Sequence, residues 1–164
     1  MVMRTNKLLL GILLAGFCPA LFAQGVKVLT LEEALKKDQG LSREMQDKQF
    51  PPHKVMDNIY YVGTVAMSSY LVTTPQGHIL MNTTFERPLP VVRKSVEDLG
   101  FHFEDIKIIL GSHAHDDHQE ADALAKQWTG AQVMAMEGDV AALKEMRPGG
   151  KPHPIDRVLH HSWK

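Results

Sequence analysis

The chain has 164 residues, 44% of them hydrophobic and 23% charged, with a formal net charge of −1. That is length for one domain rather than two, with the composition of an ordinary soluble globular protein. No Lys/Arg cluster occurs beyond the first residues, which argues against a nucleic-acid partner, since that needs a concentrated basic face.

Residues 1–23 read as a secretory signal peptide. Arg4 and Lys7 supply a positive start, and Leu8 to Phe17 form an apolar run short for crossing a bilayer. Pro19, Ala20 and Ala23 follow, with the cut expected before Gln24. The competing reading of the same run is a membrane anchor. Cys18 raises the question of lipidation, but bulky Phe17 precedes it where a small residue is expected. Removing the segment takes away two bases and no acid, so the net charge moves from −1 to −3. It also removes the only cysteine. A mature chain then has neither disulfide nor thiolate, and a metal site must be built from histidines and carboxylates. The expected location is the periplasm, with no membrane attachment after cleavage.

Residues 24–49 form a lead-in. Thr30-Leu31-Glu32-Glu33 has capping-box spacing, which predicts a short helix to Lys37 stopped by Gly40. The polar stretch 41–54 ends in Phe50-Pro51-Pro52 and reads as irregular. The main domain is assigned to residues 50–164. It opens with strands over Asn58–Val62 and Ser69–Thr73, a turn at Thr74-Pro75-Gln76-Gly77, and a strand over His78–Met81.

Beyond residue 88 helix and strand alternate. Pro88–Leu99 places Val91, Val92, Val96 and Leu99 near one helical face, ended by Gly100. Ile106–Leu110 is an apolar run expected of a strand covered on both faces. A helix is predicted over about Gln119–Thr129 with Gly130 as its stop, then a strand over Gln132–Met136 and a helix over Asp139–Met146. Arg147–Pro154 reads as a loop and Ile155–Leu159 as a last strand. The fold class is α/β with a mixed sheet.

The chemistry lies in His113-Ala114-His115-Asp116-Asp117-His118, directly after a predicted strand and before a helix. Open α/β sheets place their sites at the carboxyl ends of strands. Without thiolates, zinc takes imidazole nitrogen and carboxylate oxygen. His113 and His115, two residues apart, can converge on one ion, and Asp117 and His118 can reach a second. Two such ions share a water and lower its pKa, producing hydroxide as nucleophile. Asp117 has a second reading as a helix N-cap, because Asp117-x-x-Glu120 also has capping-box spacing. His53, His78, His102 and His153 are isolated and read as solvated, and His160-His161 as a tail pair with at most adventitious metal affinity.

From about Phe50 to Leu159 the sequence resembles the metallo-β-lactamase superfamily, and within it most nearly the third subclass of class B β-lactamases. The likeness runs through Asn58-Ile59-Tyr60-Tyr61-Val62-Gly63-Thr64, the stretch from Ser69 to Leu80, Leu99-Gly100-Phe101 with Asp105-Ile106-Lys107, Gly111-Ser112-His113-Ala114-His115, and Thr129-Gly130-Ala131-Gln132-Val133. The resemblance implies the amino-terminal half of an αββα sandwich with its site at one edge of two sheets. It implies two Zn2+ ions, His113 and His115 on the first, Asp117 and His118 on the second. It implies a β-lactam substrate whose amide is attacked by metal-bound hydroxide oriented by Asp117, and hence antibiotic resistance. Many members have an Asp-Gly pair where this chain has Asn82-Thr83-Thr84, which reads as variation within the family. Each ion's remaining histidine would lie beyond Leu159, so the chain reads as truncated at its carboxyl end, with weak zinc affinity and little turnover expected alone. The alternatives are another hydrolase of this fold, a thioesterase or lactonase, or a non-catalytic remnant.

Overall fold

The computed structural model describes residues 42–147 and 150–160. The signal segment and the helix predicted over 30–37 lie outside the described residues. The stretch read as irregular stays so at Phe50-Pro51-Pro52 but is structured on either side. Helix α1 spans Arg43–Asp47, and the Ser42 hydroxyl accepts the Met45 N–H at 3.3 Å as its cap. Strand β1 spans His53–Met56. All four of its residues are exposed, so it carries no apolar alternation that a sequence pattern can register.

Strands β2 (Ile59–Tyr61), β3 (Tyr70–Val72) and β4 (His78–Met81) continue an antiparallel meander from β1. The β3–β4 turn closes with Gly77 N–H donating to Thr74 O at 3.3 Å, and Gly77 takes φ 116, a region open to glycine. The chain then changes mode. Helix α2 (Leu89–Asp98) leads to β5 (Ile106–Leu110). The short helix α3 (Asp116–Gln119) and α4 (Asp122–Thr129) lead to β6 (Gln132–Met136), and α5 (Val140–Glu145) leads to β7 (Arg157–Leu159). Strands β4 to β7 are mutually parallel, so the seven-stranded sheet runs β1 to β7 in sequence order. Sequential parallel strands with right-handed crossovers put their connecting helices on one face of the sheet.

That face holds the core. Tyr60, Leu71, Leu80, Ile109 and Val133 stand opposite one another across β2 to β6. They pack with Leu89, Val92 and Val96 of α2, with Phe103, and with Ala121 and Ala125 around α4. Each fully buried Leu, Ile, Val or Phe contributes about 1.5–3 kcal/mol. The opposite face is also apolar, with Ile59, Val72, Ile79 and Ile108 in one row and Tyr70, Met81 and Leu110 in the next, yet these remain half-buried. The expectation that β5 is covered on both faces is therefore corrected: Ile106 and Ile109 are buried, Ile108 and Leu110 half-buried, and Lys107 exposed.

The helix predicted from Gln119 is also corrected, because it breaks after α3. The His118 carbonyl accepts the N–H groups of Thr83 and Thr84 at 2.9 and 3.2 Å, and Ala121 N–H donates to Thr84 O at 3.0 Å. The β4–α2 connection thus takes hydrogen bonds that a continuous helix would keep for itself.

Candidate metal centre

The His-rich loop leaves the carboxyl end of β5, near the middle of the sheet. Its start is set by close approach. A Cβ built on Gly111 would lie 1.9 Å from Gln119 Cδ, so this position excludes any side chain while Gln119 stays in place. Gln119 is 1% exposed and donates from Nε2 to the His113 carbonyl at 2.8 Å. Asn82 holds the next residue: its Oδ1 accepts the Ser112 N–H at 2.8 Å. The loop is thus anchored by one side chain from the β4–α2 connection and one from helix α3.

On this frame the rings converge. Ring centroids of His113 and His118 are 4.0 Å apart, and those of His113 and His115 are 4.5 Å apart. His113 Nε2 and His115 Nδ1 lie 3.1 Å apart, a distance that one shared proton satisfies. Asp117 Oδ2 is 3.4 Å from His118 Nε2. Donor atoms of His113, Asp117 and His118 all fall within 4.8 Å of one another. Burial lowers the pKa of His118, opposed by the Asp117 charge and reinforced by His113 and His115, which keeps its imidazole neutral and its lone pair available. Ser112 Oγ is 3.0 Å from His118 Nδ1, so the ring nitrogen facing Asp117 is the one left for a ligand. A polar partner on the far nitrogen is the arrangement that orients metal-bound histidines. The two imidazoles and the carboxylate of this group, with the His115 imidazole beside it, are donor types zinc accepts when thiolates are absent.

Of the four residues singled out in the sequence, His113, Asp117 and His118 form one group. His115 lies outside it and meets it through His113. The capping role considered for Asp117 is corrected: the N-cap of α3 is His115, without a side-chain hydrogen bond, and Asp117 sits in the first turn. Its carboxylate is therefore not taken up as the helix cap. Among the isolated histidines, His53 and His102 are exposed as expected, and His78 is half-buried against Phe101, with ring centroids 5.4 Å apart. His153 corrects the expectation of a solvated position: its side chain is 0% exposed and its Nε2 lies 3.1 Å from Asp122 Oδ2. His160 is exposed beside Glu137, at 3.0 Å; His161 lies outside the described residues. Ser112, Gln119, Asn82 and Asp122 escaped the sequence reading because none is a ligand type at ligand spacing. The one available signal was Asp122, an acid on the same helical face as the small residue Ala125.

No protein-family model matches the chain. Solved structures do. The native metallo-β-lactamase FEZ-1 from Legionella gormanii matches at 39% identity and TM-score 0.65, over 70% of this chain and 48% of that one. The fold is that of the metallo-β-lactamases. BJP-1, a subclass B3 metallo-β-lactamase of Bradyrhizobium japonicum, matches at 34% identity and TM-score 0.64, over 73% of this chain and 48% of that one. The metallo-β-lactamase GOB-18 from Elizabethkingia meningoseptica matches at 32% identity and TM-score 0.66, over 73% and 48%. The chain thus spans about half the length of the metallo-β-lactamases it matches. The mixed sheet with its helices, expected as one half of an αββα sandwich, is what these structures share with it.

Proposed function

We propose that this chain carries zinc ligands of a metallo-hydrolase that opens β-lactam rings and acts in the periplasm. The observation that carries the reading is the convergence of His113, Asp117 and His118 within 4.8 Å at the carboxyl end of a central strand. The likeness to metallo-β-lactamases at 32–39% identity supports the substrate class, and the signal-like start of the sequence supports export.

The proposed ligands are His113 and His115 for one ion and Asp117 and His118 for another. Zinc supplies Lewis acidity, polarising a carbonyl oxygen and lowering the pKa of a water. The protein's part is positioning. Ser112 and burial hold the His118 imidazole neutral and directed. Asp117, with its side chain 44% exposed, would accept a hydrogen bond from the attacking water and so orient it. Antibiotic resistance would be the physiological consequence.

Zinc uptake and nitrocefin hydrolysis by the purified chain test the reading. The expected result is zinc uptake that Asp117→Asn and His118→Ala each weaken, with any nitrocefin turnover depending on both zinc and Asp117. No zinc uptake, or faster cleavage of a thioester or lactone than of nitrocefin, would overturn it.

A further inference from the structure

A second polar cluster lies behind the metal loop, wholly inside the protein. Asp122 and His153 have side chains 0% exposed, and Thr83 is 0% exposed as well. The Thr83 hydroxyl donates to Asp122 Oδ1 at 2.6 Å. Asp122 Oδ2 lies 3.1 Å from His153 Nε2, a close polar contact though short of an aligned hydrogen bond. Among the described residues, buried His153 Nδ1 has no hydrogen-bond partner. Burying these groups carries a desolvation cost that an apolar trio would avoid, so their presence calls for a reason.

Their connections suggest one. Thr83 stands between two residues in the left-handed region, Asn82 at φ 62 and Thr84 at φ 67. For β-branched Thr84 this is an outlier that persists only where surroundings enforce it. Ser69 Oγ donates to Asn82 O at 2.6 Å and Asn82 N–H to Leu110 O at 2.8 Å, and the remaining contacts lead to the metal loop and the residues just after it. Thr83 and Thr84 N–H donate to the His118 carbonyl, Thr84 O accepts from Ala121, and Asn82 Oδ1 accepts from Ser112. The Thr83 side chain, fastened to Asp122, fixes the strained segment that grips the His118 backbone. His153 reaches Asp122 from the loop before β7, 35 residues beyond His118.

We propose that Thr83, Asp122 and His153 form a buried positioning relay that fixes the His118 backbone and thereby sets the metal affinity of the site. The relay rests on the reading of His118 as a metal ligand. It assigns a task to the Asn82-Thr83-Thr84 segment and ties the β6–β7 connection to the metal loop. Outer partners of metal ligands typically change affinity by about 10–100-fold.

The test uses the full chain and cobalt(II) as the metal, titrated by visible absorption where circular dichroism shows each variant folded. Thr83→Val, which keeps shape but removes the hydroxyl, is expected to weaken cobalt binding about tenfold or more, and Thr83→Ser to restore it. His153→Phe is expected to weaken binding in the same direction and decides the matter if Thr83→Val does not fold. Cobalt affinity equal to the unaltered chain in the variant that folds overturns the relay. Amide hydrogen exchange without metal is a separate arm. Loss of the Thr83 hydroxyl is expected to speed exchange of the Thr83, Thr84 and Ala121 amides by about fivefold or more. If the unaltered chain takes up no cobalt, the functional reading falls. The exchange arm then decides the relay, and unchanged exchange overturns it.

Discussion

Replacing Gly111 by alanine tests the packing that shapes the metal loop. The added Cβ would meet Gln119 Cδ at 1.9 Å, Nε2 at 2.1 Å and Cγ at 2.4 Å. Side-chain flexibility offers little relief, because Cγ is near the backbone and Gln119 is 1% exposed. Either the loop shifts or Gln119 leaves its place and gives up the bond to the His113 carbonyl. Overpacking costs about 1–3 kcal/mol and a lost buried hydrogen bond about 1–3 kcal/mol, together about 2–6 kcal/mol. Urea unfolding of the single variants Gly111→Ala and Gln119→Ala, and of the double variant, isolates the clash. Truncating Gln119 removes all three offending atoms. Gly111→Ala should therefore cost at least about 2 kcal/mol less in the Gln119→Ala background than in the unaltered chain. Equal cost in both backgrounds would refute the claim that Gln119 excludes a side chain at position 111.

Gly130 provides a contrast, since it takes φ 70 with open space where a Cβ would go; Gly130→Ala should cost about 1–2 kcal/mol from backbone strain alone, and Gly130→Asn less, as read in thermal melts. His118→Ala should weaken zinc by more than the roughly 10–100-fold typical of outer partners, whereas His53→Ala, at an exposed position remote in sequence from the loop, should leave it unchanged in a chelator competition. Asp156 supplies a pH prediction. Burial raises its pKa, but the Lys126 ammonium and the Val133 N–H, which donates at 2.8 Å, outweigh that and hold it below its ordinary 3.8. A carboxylate with a lowered folded pKa contributes stability that is full above about 3.8 and lost as pH falls through the folded value. Asp156→Asn should therefore flatten the acid limb of the stability curve below about pH 4; an unchanged acid limb would count against the pairing.

Much of the architecture was legible because it rests on local pattern. The strands His78–Met81, Ile106–Leu110 and Gln132–Met136 emerge with the boundaries read from their apolar runs. Gly100 and Gly130 stop helices with φ 86 and 70, where a left-handed residue is needed. Strand β1 was not legible, because an exposed edge strand is held by pairing to β2 rather than by apolar spacing. Nor was the break between α3 and α4. Helical periodicity runs through it, and only the hydrogen bonds from Thr83 and Thr84 divert the His118 carbonyl.

The metal loop divides in the same way. Its ligand types are a matter of composition and spacing, so His113, His115, Asp117 and His118 stand out from the residues alone. Which of them meet is a matter of chain path: the turn into α3 groups His113 with Asp117 and His118 and leaves His115 at the rim. The frame behind them was decided only in three dimensions. Asn82 and His153 come from segments far from the loop, Gln119 and Asp122 directly follow it, and burial makes hydrogen-bonding groups of ordinary polar residues into structural partners. Short-range order was written into the sequence by periodicity and turn chemistry. The long-range contacts that hold the donors in place depended on the sheet bringing those segments together.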